Sequence, residues 1–422
     1  KMHDFTVRGG KLYCERVPVD RIAKAVGTPL YLYSHHTLVD HFGKLRRAFR
    51  RIRPLICFSV KANGSLAILR VLVRQGAGLD IVSGGELYKA LRAGCPASRI
   101  VYASVGKRPD EIRAALRAGI FCFNVESVPE LAAINAQASR LKMTAPVALR
   151  INPDVQAHTH RYITTGTAQS KFGIDLDTAE RLILKEWQAY SSVRLLGFHL
   201  HIGSQIAQSR PFVQAIQRAG SLIERLRRHG VRIEWLNLGG GLGIVYKDER
   251  PQTAEAFARA VLPHLRRLKV RLILEPGRFI VGSAGILVAQ VLYCKQTRGK
   301  RFLVVDAGMN DLIRPALYGA YHEIVPIAQV SGLRSQVYDV VGPICESADV
   351  LASRRRLPVL EPGDFLAVMG AGAYGFAMAS NYNGRLRPAE VLVKGARAFV
   401  IRRRETLEDL IRHETVPKEL LA

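Results

Sequence analysis

The chain has 422 residues and 48% of them are hydrophobic, which is enough to bury more than one core, since single cores stop growing near about 250 to 300 residues. No apolar run approaches the roughly 20 residues of a membrane helix, and the N-terminus lacks the apolar stretch of a signal peptide, so we expect a cytoplasmic protein with no membrane contact. The six cysteines show no Cys-x-x-Cys spacing, which argues against zinc ribbons, redox pairs and a disulfide framework.

The formal charge of +27 raises the question of a nucleic-acid partner. The arginines are, however, spread along the chain and often fall in helical stretches, as at Arg46, Arg47, Arg50 and Arg51. No zinc-finger spacing and no aromatic-glycine motif of the RRM type accompanies them. We therefore interpret the charge as a solvated basic surface and predict no specific nucleic-acid partner, with weak polyanion binding at low salt as a side effect.

The predicted elements begin with a short strand-like segment from Asp4 to Val17. From Ile56 onward, β-rich runs alternate with helical stretches, which is the pattern of repeated βα units. The eight runs are Ile56 to Asn63, Gly78 to Ser83, Arg99 to Ser104, Ile120 to Ser127, Val147 to Pro153, Leu195 to Gly203, Glu234 to Gly241 and Arg271 to Gly277. Eight consecutive βα units predict a (β/α)8 TIM barrel over residues 27–278, with its active site at the carboxyl ends of the strands.

After the barrel, strands follow one another without long helices between them. These strands are Gly285 to Tyr293, Arg301 to Asp306, Glu323 to Val330, Gln336 to Gly342 and Asp364 to Met369. They predict a second, mainly β domain over residues 279–422, barrel-like or sandwich-like, that ends in a charged helix from Arg403 to Ala422. The N-terminal segment, residues 1–26, is expected to join this β domain because the barrel already has its eight strands.

Ionisable residues and glycines stand at nearly every strand end of the predicted barrel. They are Lys61, Asp80, Glu126, Arg150, Asn152, His201, Gly239 to Gly241, Glu275, Gly277 and Arg278. Because the carboxyl ends of barrel strands share one rim, these residues are expected to meet there and to form an active site.

Lys61 ends the apolar run that starts at Ile56. Burial at this point would disfavour the charged amine and leave its lone pair available to form a Schiff base with a carbonyl cofactor. Considered alone, Lys61 also fits the commoner case of a lysine that ends a strand and reaches into solvent.

A phosphorylated carbonyl cofactor would need backbone N–H groups that an anion can approach closely. The run Gly239 to Gly241, together with Gly277 and the hydroxyl of Ser204, forms a candidate phosphate cradle, although a triple glycine also fits a simple tight turn. Glu275 in the barrel mouth needs a partner, either a protonated pyridine nitrogen or an arginine such as Arg278.

His199 and His201 lie two apart on a strand and so share a face that could hold a metal. No third ligand with matching spacing is evident, and an imidazole stacked on a planar cofactor explains one histidine equally well, so no metal is predicted. His158 and His160 fall in the polar stretch from Val155 to Ser170, which we expect to form a mobile loop over the barrel mouth.

Specific motifs run along almost the whole chain. They are FSVKAN around Lys61, GLDIVSGGE from Gly78, SKFGI from Ser170, HLHIGSQ from His199, NLGGGLG from Asn237, EPGR from Glu275, RPALYGAYHEI from Arg314, GPICESAD from Gly342, GAGAYGFAMASNYN from Gly370 and RRRET from Arg402. In these motifs the chain resembles the fold type III pyridoxal phosphate decarboxylases, and among them the diaminopimelate decarboxylase family.

The resemblance implies pyridoxal 5'-phosphate as the cofactor. Lys61 would hold it as a Schiff base, His201 would stack on its ring and Glu275 would pair with its pyridine nitrogen. The other implied cofactor contacts are Ser204, Gly240 and Gly241 at the phosphate, together with Asp80, Gly277, Arg278 and Tyr374.

The implied reaction is decarboxylation of meso-2,6-diaminopimelate to L-lysine and carbon dioxide, the last step of lysine biosynthesis. The implied substrate contacts are Arg278, Arg314, Tyr318, Glu346 and Tyr374. Cys345, a candidate proton donor, and Glu346, which would address the distal amino group, are expected to come from the partner subunit, so that a homodimer is the catalytic unit.

Relatives that act on ornithine or arginine share the barrel motifs but commonly carry aspartate after the cysteine, and they lack the RPALYGAYHEI pattern. Arg314 and Tyr318 suit a substrate with a second carboxylate, which diaminopimelate has and ornithine lacks. A catalytically inactive regulatory homologue is a further alternative, against which Lys61, Glu275 and Cys345 together argue.

Overall fold

The computed structural model describes residues 3–155, 171–328 and 334–420. The chain divides into two compact units: Leu38–Val281 forms one, and Lys1–Thr37 with Gly282–Ala422 forms the other. Within the described ranges, no helix is long and apolar enough to cross a membrane. The predicted loop that carries His158 and His160 lies outside the described residues.

The chain begins with elements of the second unit. They are strands β1 (Phe5–Arg8), β2 (Lys11–Cys14) and β3 (Val17–Pro18), helix α1 (Val19–Val26), strand β4 (Leu30–Ser34) and helix α2 (His35–Ala48), which runs on into the first unit. Strands β1 to β3 pair with one another as a separate antiparallel sheet. Phe5, Leu12 and Val17 nevertheless pack in one core with Ile286 and Val391, so this sheet lies on the β unit.

A closed ring of eight parallel strands forms the unit Leu38–Val281 and confirms the predicted barrel. Its strands are β5 (Leu55–Ser59), β6 (Gly78–Ile81), β7 (Ile100–Tyr102), β8 (Cys122–Val125), β9 (Ala145–Asn152) with the short extra strand β10 (Ile174–Asp175), β11 (Val193–His199), β12 (Trp235–Asn237) and β13 (Arg271–Leu274). The eight predicted runs overlap the eight barrel strands in the predicted order.

A helix follows each barrel strand. These helices are α3 (Leu66–Arg74), α4 (Gly84–Arg92), α5 (Pro109–Ala118), α6 (Val128–Arg140), α7 (Leu176–Arg181), α8 (Arg210–Arg228), α9 (Ala254–Leu268) and α10 (Arg278–Val281). The local sequence explains where two of these helices begin. The Ser83 hydroxyl accepts the Glu86 N–H as N-cap of α4, and the Ser127 hydroxyl accepts the Glu130 N–H as N-cap of α6. The strands are buried along most of their length, as expected for a parallel sheet covered on its outer face by helices.

The rest of the second unit is mainly β, as predicted. It contains β14 (Gly285–Thr297), β15 (Lys300–Val305), β16 (Ile324–Pro326), β17 (Ser335–Val341), β18 (Val350–Pro358), β19 (Phe365–Val368), β20 (Ala389–Lys394) and β21 (Arg397–Arg402), with helices α11 (Arg314–Tyr318) and α12 (Leu407–Ile411). Strand β14 is the centre of this unit because it pairs with β4, β15 and β19.

The boundary between the units differs from the predicted one at residues 26 and 27. Strand β4, which the prediction gave to the barrel, lies between β14 and β20 and hydrogen-bonds to both. The first unit therefore starts at Leu38 and ends at Val281. All five β4 residues are buried, and burial alone does not indicate which sheet a strand will join.

The predicted terminal helix from Arg403 to Ala422 was wrong in its length. Within residues 403–420, the α-helix covers only Leu407–Ile411, and a single 3-10 turn follows at Lys418–Leu420. Pro417 cannot donate a helical hydrogen bond, and the surrounding residues are exposed, so no buried face extends the helix.

Candidate active site

Lys61 lies directly beyond the carboxyl end of β5, on the 3-10 turn Val60–Ala62. Its Nζ donates to Oδ2 of Asp80 over 2.8 Å, and its side chain is 33% exposed against 0% for Asp80. The amine is therefore held by a buried carboxylate at the barrel rim and is not the solvent-directed lysine of the alternative interpretation.

Asp80, near the end of β6, has room for one more polar contact. Its Oδ2 also accepts the Ser59 hydroxyl, whereas its buried Oδ1 has no hydrogen-bond partner among the described residues. Burial and then the neighbouring Glu275 charge raise the pKa of Asp80, and Lys61 opposes them. A buried acceptor without a donor is costly, so this edge of the rim suits a polar ligand group.

Glu275 follows β13 and is held by three side chains. Its Oε1 accepts the amides of Asn124 at 3.0 Å and Asn237 at 2.6 Å, and its Oε2 lies 3.0 Å from His199 Nε2. Burial alone would raise the pKa of Glu275, but His199, Lys61 and Asn237 together lower it, so the carboxylate is ionised.

The partners of Glu275 correct part of the sequence analysis. The proposed alternative, an ion pair with Arg278, is replaced by His199 and two asparagines. Sequence reasoning missed Asn124 and Asn237, although both are polar residues inside otherwise apolar strands, β8 and β12. A buried amide in such a strand is a signal that a polar partner faces it.

His199 and His201 do have a third group beside them, contrary to the sequence analysis. Ligand atoms of His199, His201 and Glu275 lie within 4.8 Å of one another, a spacing that could hold a metal ion. Both Glu275 oxygens already accept N–H donors, one of them from His199. We therefore interpret the cluster as a hydrogen-bonded network that fixes the carboxylate.

His201 follows β11 and keeps a neutral imidazole. Burial lowers the pKa of His201 well below its usual value, and the charges of Arg150 and Lys61 lower it further. The backbone at this point is tied down, because Arg150 donates to the His201 carbonyl at 3.4 Å and to Glu126 at 2.6 Å. The neighbourhood therefore offers a fixed, uncharged ring.

The triple glycine permits a close approach of three rim segments. A Cβ on Gly241 would lie 2.6 Å from the Gly203 carbonyl oxygen, and the Gly241 φ of +103° already disfavours a side chain. A Cβ on Gly240 would overlap the carbonyl oxygen of Glu275. The run is therefore more than a tight turn, since a side chain at Gly240 or Gly241 would force these rim segments apart.

Arg278 and Ser204 meet at the same rim. The Ser204 hydroxyl accepts from Arg278 Nη2 at 3.1 Å, and Arg278 Nη1 donates to the Tyr246 hydroxyl at 2.7 Å. Gly277 comes close to the lysine turn, since a Cβ there would lie 2.9 Å from the Cβ of Ala62. Tyr246 was missed by the sequence analysis because it lies in a loop without a motif of its own.

The remaining predicted site residues, Arg314, Tyr318, Cys345, Glu346 and Tyr374, belong to the β unit. Arg314 is buried on α11, and its Nη1 lies 3.0 Å from His322 Nε2. Tyr318 ends that helix, and Tyr374 adopts a left-handed φ of 56°, which is uncommon for a bulky residue. Cys345 and Glu346 are exposed next to each other.

Comparison with known proteins identifies the family. The model of the pyridoxal-dependent decarboxylases, pyridoxal binding domain, matches residues 35–282. A diaminopimelate decarboxylase of Haemophilus influenzae is 46% identical over 410 residues, which are 97% of this chain and 98% of that relative. The chain belongs to the diaminopimelate decarboxylase family.

Two further relatives of the diaminopimelate decarboxylase family agree with this assignment. The enzyme of Neisseria meningitidis serogroup B is 47% identical over 404 residues, 96% of this chain and 97% of the relative. The crystal structure of diaminopimelate decarboxylase from M. jannaschii in co-complex with L-lysine matches with a TM-score of 0.94 and 38% identity, covering 99% of each chain. The resemblance seen in the motifs is confirmed.

The cofactor of this member of the diaminopimelate decarboxylase family is pyridoxal 5'-phosphate, and the barrel rim fits it. Oδ1 of Asp80, which has no hydrogen-bond partner within the described ranges, can accept a polar group, and the ionised Glu275 can face a protonated ring nitrogen. Gly240 and Gly241 carry no side chain that would screen their backbone N–H groups from a phosphate.

Proposed function

We propose that this chain decarboxylates meso-2,6-diaminopimelate to L-lysine and carbon dioxide, with Lys61 as the residue that holds pyridoxal phosphate. The observation that carries the proposal is the placement of the Lys61 amine, 2.8 Å from buried Asp80, on the rim that also holds ionised Glu275. When bound, the cofactor supplies an electron sink for the electron pair left on the substrate's α-carbon as carbon dioxide departs.

Lys61 and Asp80 act together. Asp80 accepts a hydrogen bond from the amine and so fixes the direction in which Nζ points. A positioned amine is a better nucleophile toward an aldehyde than a free one, because its rotational freedom is already restricted. Asp80 is the fixed acceptor that keeps Nζ at this position on the rim.

Glu275 would keep the cofactor's ring nitrogen protonated. Its carboxylate stays charged because His199 and the two asparagine amides stabilise the anion, and the same three donors hold its orientation. His201 would face the cofactor ring, where its neutral imidazole would leave the ring's positive charge undisturbed. Gly240, Gly241, Ser204 and Arg278 would hold the phosphate, with Gly277 beside the lysine turn.

The substrate is recognised through its second carboxylate and its distal amine. Arg278, Arg314 and Tyr318 bind the carboxylate that is retained, and Tyr374 contacts both cofactor and substrate. Glu346 binds the distal ammonium group, and Cys345 delivers a proton to the α-carbon. We propose that these last two residues come from the partner subunit of a homodimer.

The direct test is carbon dioxide release from the purified protein with pyridoxal phosphate and, separately, meso-diaminopimelate, ornithine, arginine and lysine. Turnover confined to diaminopimelate is the expected result. Turnover of ornithine or arginine would keep Lys61 in its role but overturn those of Arg314, Tyr318 and Glu346. No turnover despite cofactor binding would favour an inactive regulatory homologue.

The shared site has a separate test. Lys61→Ala and Cys345→Ala should each be inactive, and equal mixing after subunit exchange should restore about a quarter of wild-type activity, because half of the dimers then carry one intact site. If each subunit carried its own complete site, the mixture would stay inactive.

A further inference from the structure

The loop of residues 342–349, here called the cysteine loop, is exposed at its tip but fixed at its base. Asp349 closes the base: its Oδ1 accepts the Met309 N–H at 2.6 Å and its Oδ2 accepts the Ile344 N–H at 2.7 Å. The Gly342 N–H donates to the Asp349 carbonyl at 3.1 Å. The two tip residues, Cys345 and Glu346, are therefore carried on a firmly bonded frame.

A second segment of the β unit bonds to both tip residues. The Cys345 N–H donates to Asn383 Oδ1 at 2.9 Å, and the Tyr382 hydroxyl donates to Glu346 Oε2 at 2.8 Å. Asn383 has φ 56° and ψ 29°, a left-handed conformation that asparagine adopts more readily than most residues. An asparagine at position 383 thus meets two requirements: it tolerates the left-handed backbone, and it supplies the oxygen that accepts the Cys345 N–H.

This segment is itself anchored, so it can serve as a fixed support. The Ser380 N–H donates to the Asn310 carbonyl at 2.9 Å. The Asn381 side chain donates to the Arg385 carbonyl at 2.9 Å and to Glu405 at 2.6 Å. The support is therefore tied to the rest of the β unit through Ser380 and Asn381, directly before Tyr382.

We propose that Tyr382 and Asn383 are positioning residues of this decarboxylase, which hold Glu346 and Cys345 ready for the distal amine and the α-carbon of the substrate. The proposal rests on the roles of Glu346 and Cys345 given above. A free glutamate side chain loses up to about 2 kcal/mol of conformational entropy when it is immobilised, and a preformed contact removes part of this cost from substrate binding.

The chemistry of Tyr382 suits this task. A neutral hydroxyl donor orients the carboxylate without cancelling its charge, whereas a lysine or arginine in the same place would compete with the substrate's ammonium group. Among the described residues, the other carboxylate oxygen, Oε1, accepts no hydrogen bond. Oε1 is therefore available for an ammonium donor.

The proposal predicts which part of the substrate Tyr382 acts upon. Diaminopimelate and 2-aminopimelate both have two carboxylates, but only diaminopimelate has the distal amine. The KM of diaminopimelate and the competitive inhibition constant, Ki, of 2-aminopimelate should therefore respond differently when the Tyr382 hydroxyl is removed from the holoenzyme.

In Tyr382→Phe, the KM of diaminopimelate should rise about fivefold to tenfold, the loss expected for one partly exposed hydrogen bond to a charged group. The kcat and the Ki of 2-aminopimelate should stay unchanged. Tyr293→Phe is the matched control, since Tyr293 is an exposed tyrosine of the same unit. It should leave all three constants unchanged.

Asn383 is tested through a pair of substitutions. Asn383→Gly permits the left-handed backbone but removes the acceptor for Cys345, so kcat should fall about tenfold through a displaced proton donor. Asn383→Asp keeps an oxygen acceptor and should retain most of the kcat. Equal kcat values in the two variants would overturn the role of Asn383.

Two results would overturn the role of Tyr382. One is an equal rise of KM and Ki in Tyr382→Phe, which would indicate only a general structural role; the other is no change in either. Glu346→Gln tests the role of Glu346 separately from that of Tyr382. If it raises the KM of diaminopimelate but Tyr382→Phe does not, only the positioning role falls. If Glu346→Gln changes nothing, the assignment of Glu346 falls as well.

Discussion

Substitution of Lys107 by methionine should destabilise the barrel strongly. The Lys107 side chain is 0% exposed and its partner Glu130 is 8% exposed. Its Nζ donates to Glu130 Oε1 at 2.5 Å and to the carbonyls of Ser104 at 2.9 Å and Asn124 at 2.8 Å. Methionine fills similar space but removes the lysine's hydrogen bonds to Oε1 of buried Glu130 and to the two carbonyls, and it leaves the Glu130 charge without its cationic partner. The expected loss is about 3 to 5 kcal/mol of unfolding free energy, the range for a buried ion pair that loses one partner.

The stability lost in Lys107→Met should increase as the pH rises, because of the titration of Glu130. Burial raises the pKa of Glu130, and the Lys107 charge opposes that rise, so Lys107→Met should raise it further. A group with a raised folded-state pKa stabilises the protein fully only below its unfolded-state value of about 4.3, and loses that contribution as the pH rises through the folded-state pKa. The deficit of Lys107→Met should therefore be smallest near pH 5 and grow toward pH 8.

Denaturant unfolding of the holoenzyme, followed by near-ultraviolet circular dichroism at several pH values, measures both effects. The matched control is the double variant Lys107→Met with Glu130→Gln, in which no buried charge is left alone. It should be more stable at pH 8 than the sum of the single losses predicts. The reasoning is refuted if the single variant loses less than about 1 kcal/mol at every pH, or if the two losses simply add.

Three further predictions address the rim and the β unit. Lys61→Ala should abolish turnover and the visible absorbance of the lysine-bound cofactor, and an unchanged spectrum would contradict the assignment. Gly241→Ala should weaken pyridoxal phosphate binding about tenfold in a fluorescence titration, because its Cβ meets the Gly203 carbonyl at 2.6 Å; Gly230→Ala, also left-handed but in open space, should not. Burial raises the pKa of Asp311 to about 7, so its contribution to stability is lost as pH rises from about 4 to 7. Asp311→Asn should remove this slope and add about 2 to 4 kcal/mol of unfolding free energy at pH 8, and a variant no more stable there would disprove the argument.

The sequence by itself determined the barrel and the composition of its rim. Eight apolar runs at βα spacing leave few alternatives to a closed parallel barrel, and that fold brings all strand ends to one face. Lys61, Asp80, His201 and Glu275 could therefore be placed on one rim without any coordinates. Burial and the two-residue period of a strand are local properties, so the pattern of apolar residues in the sequence predicts them.

Tertiary structure alone decided which residues became partners. Strand β4 is as apolar as a barrel strand, yet it pairs in the β unit, and Asn124 reaches Glu275 across 151 positions of the chain. The same holds for Tyr382, which meets Glu346 from 36 positions away. Such contacts depend on how distant segments are brought together, and a periodic pattern of burial specifies which face of a segment is inside but not which side chain it will meet.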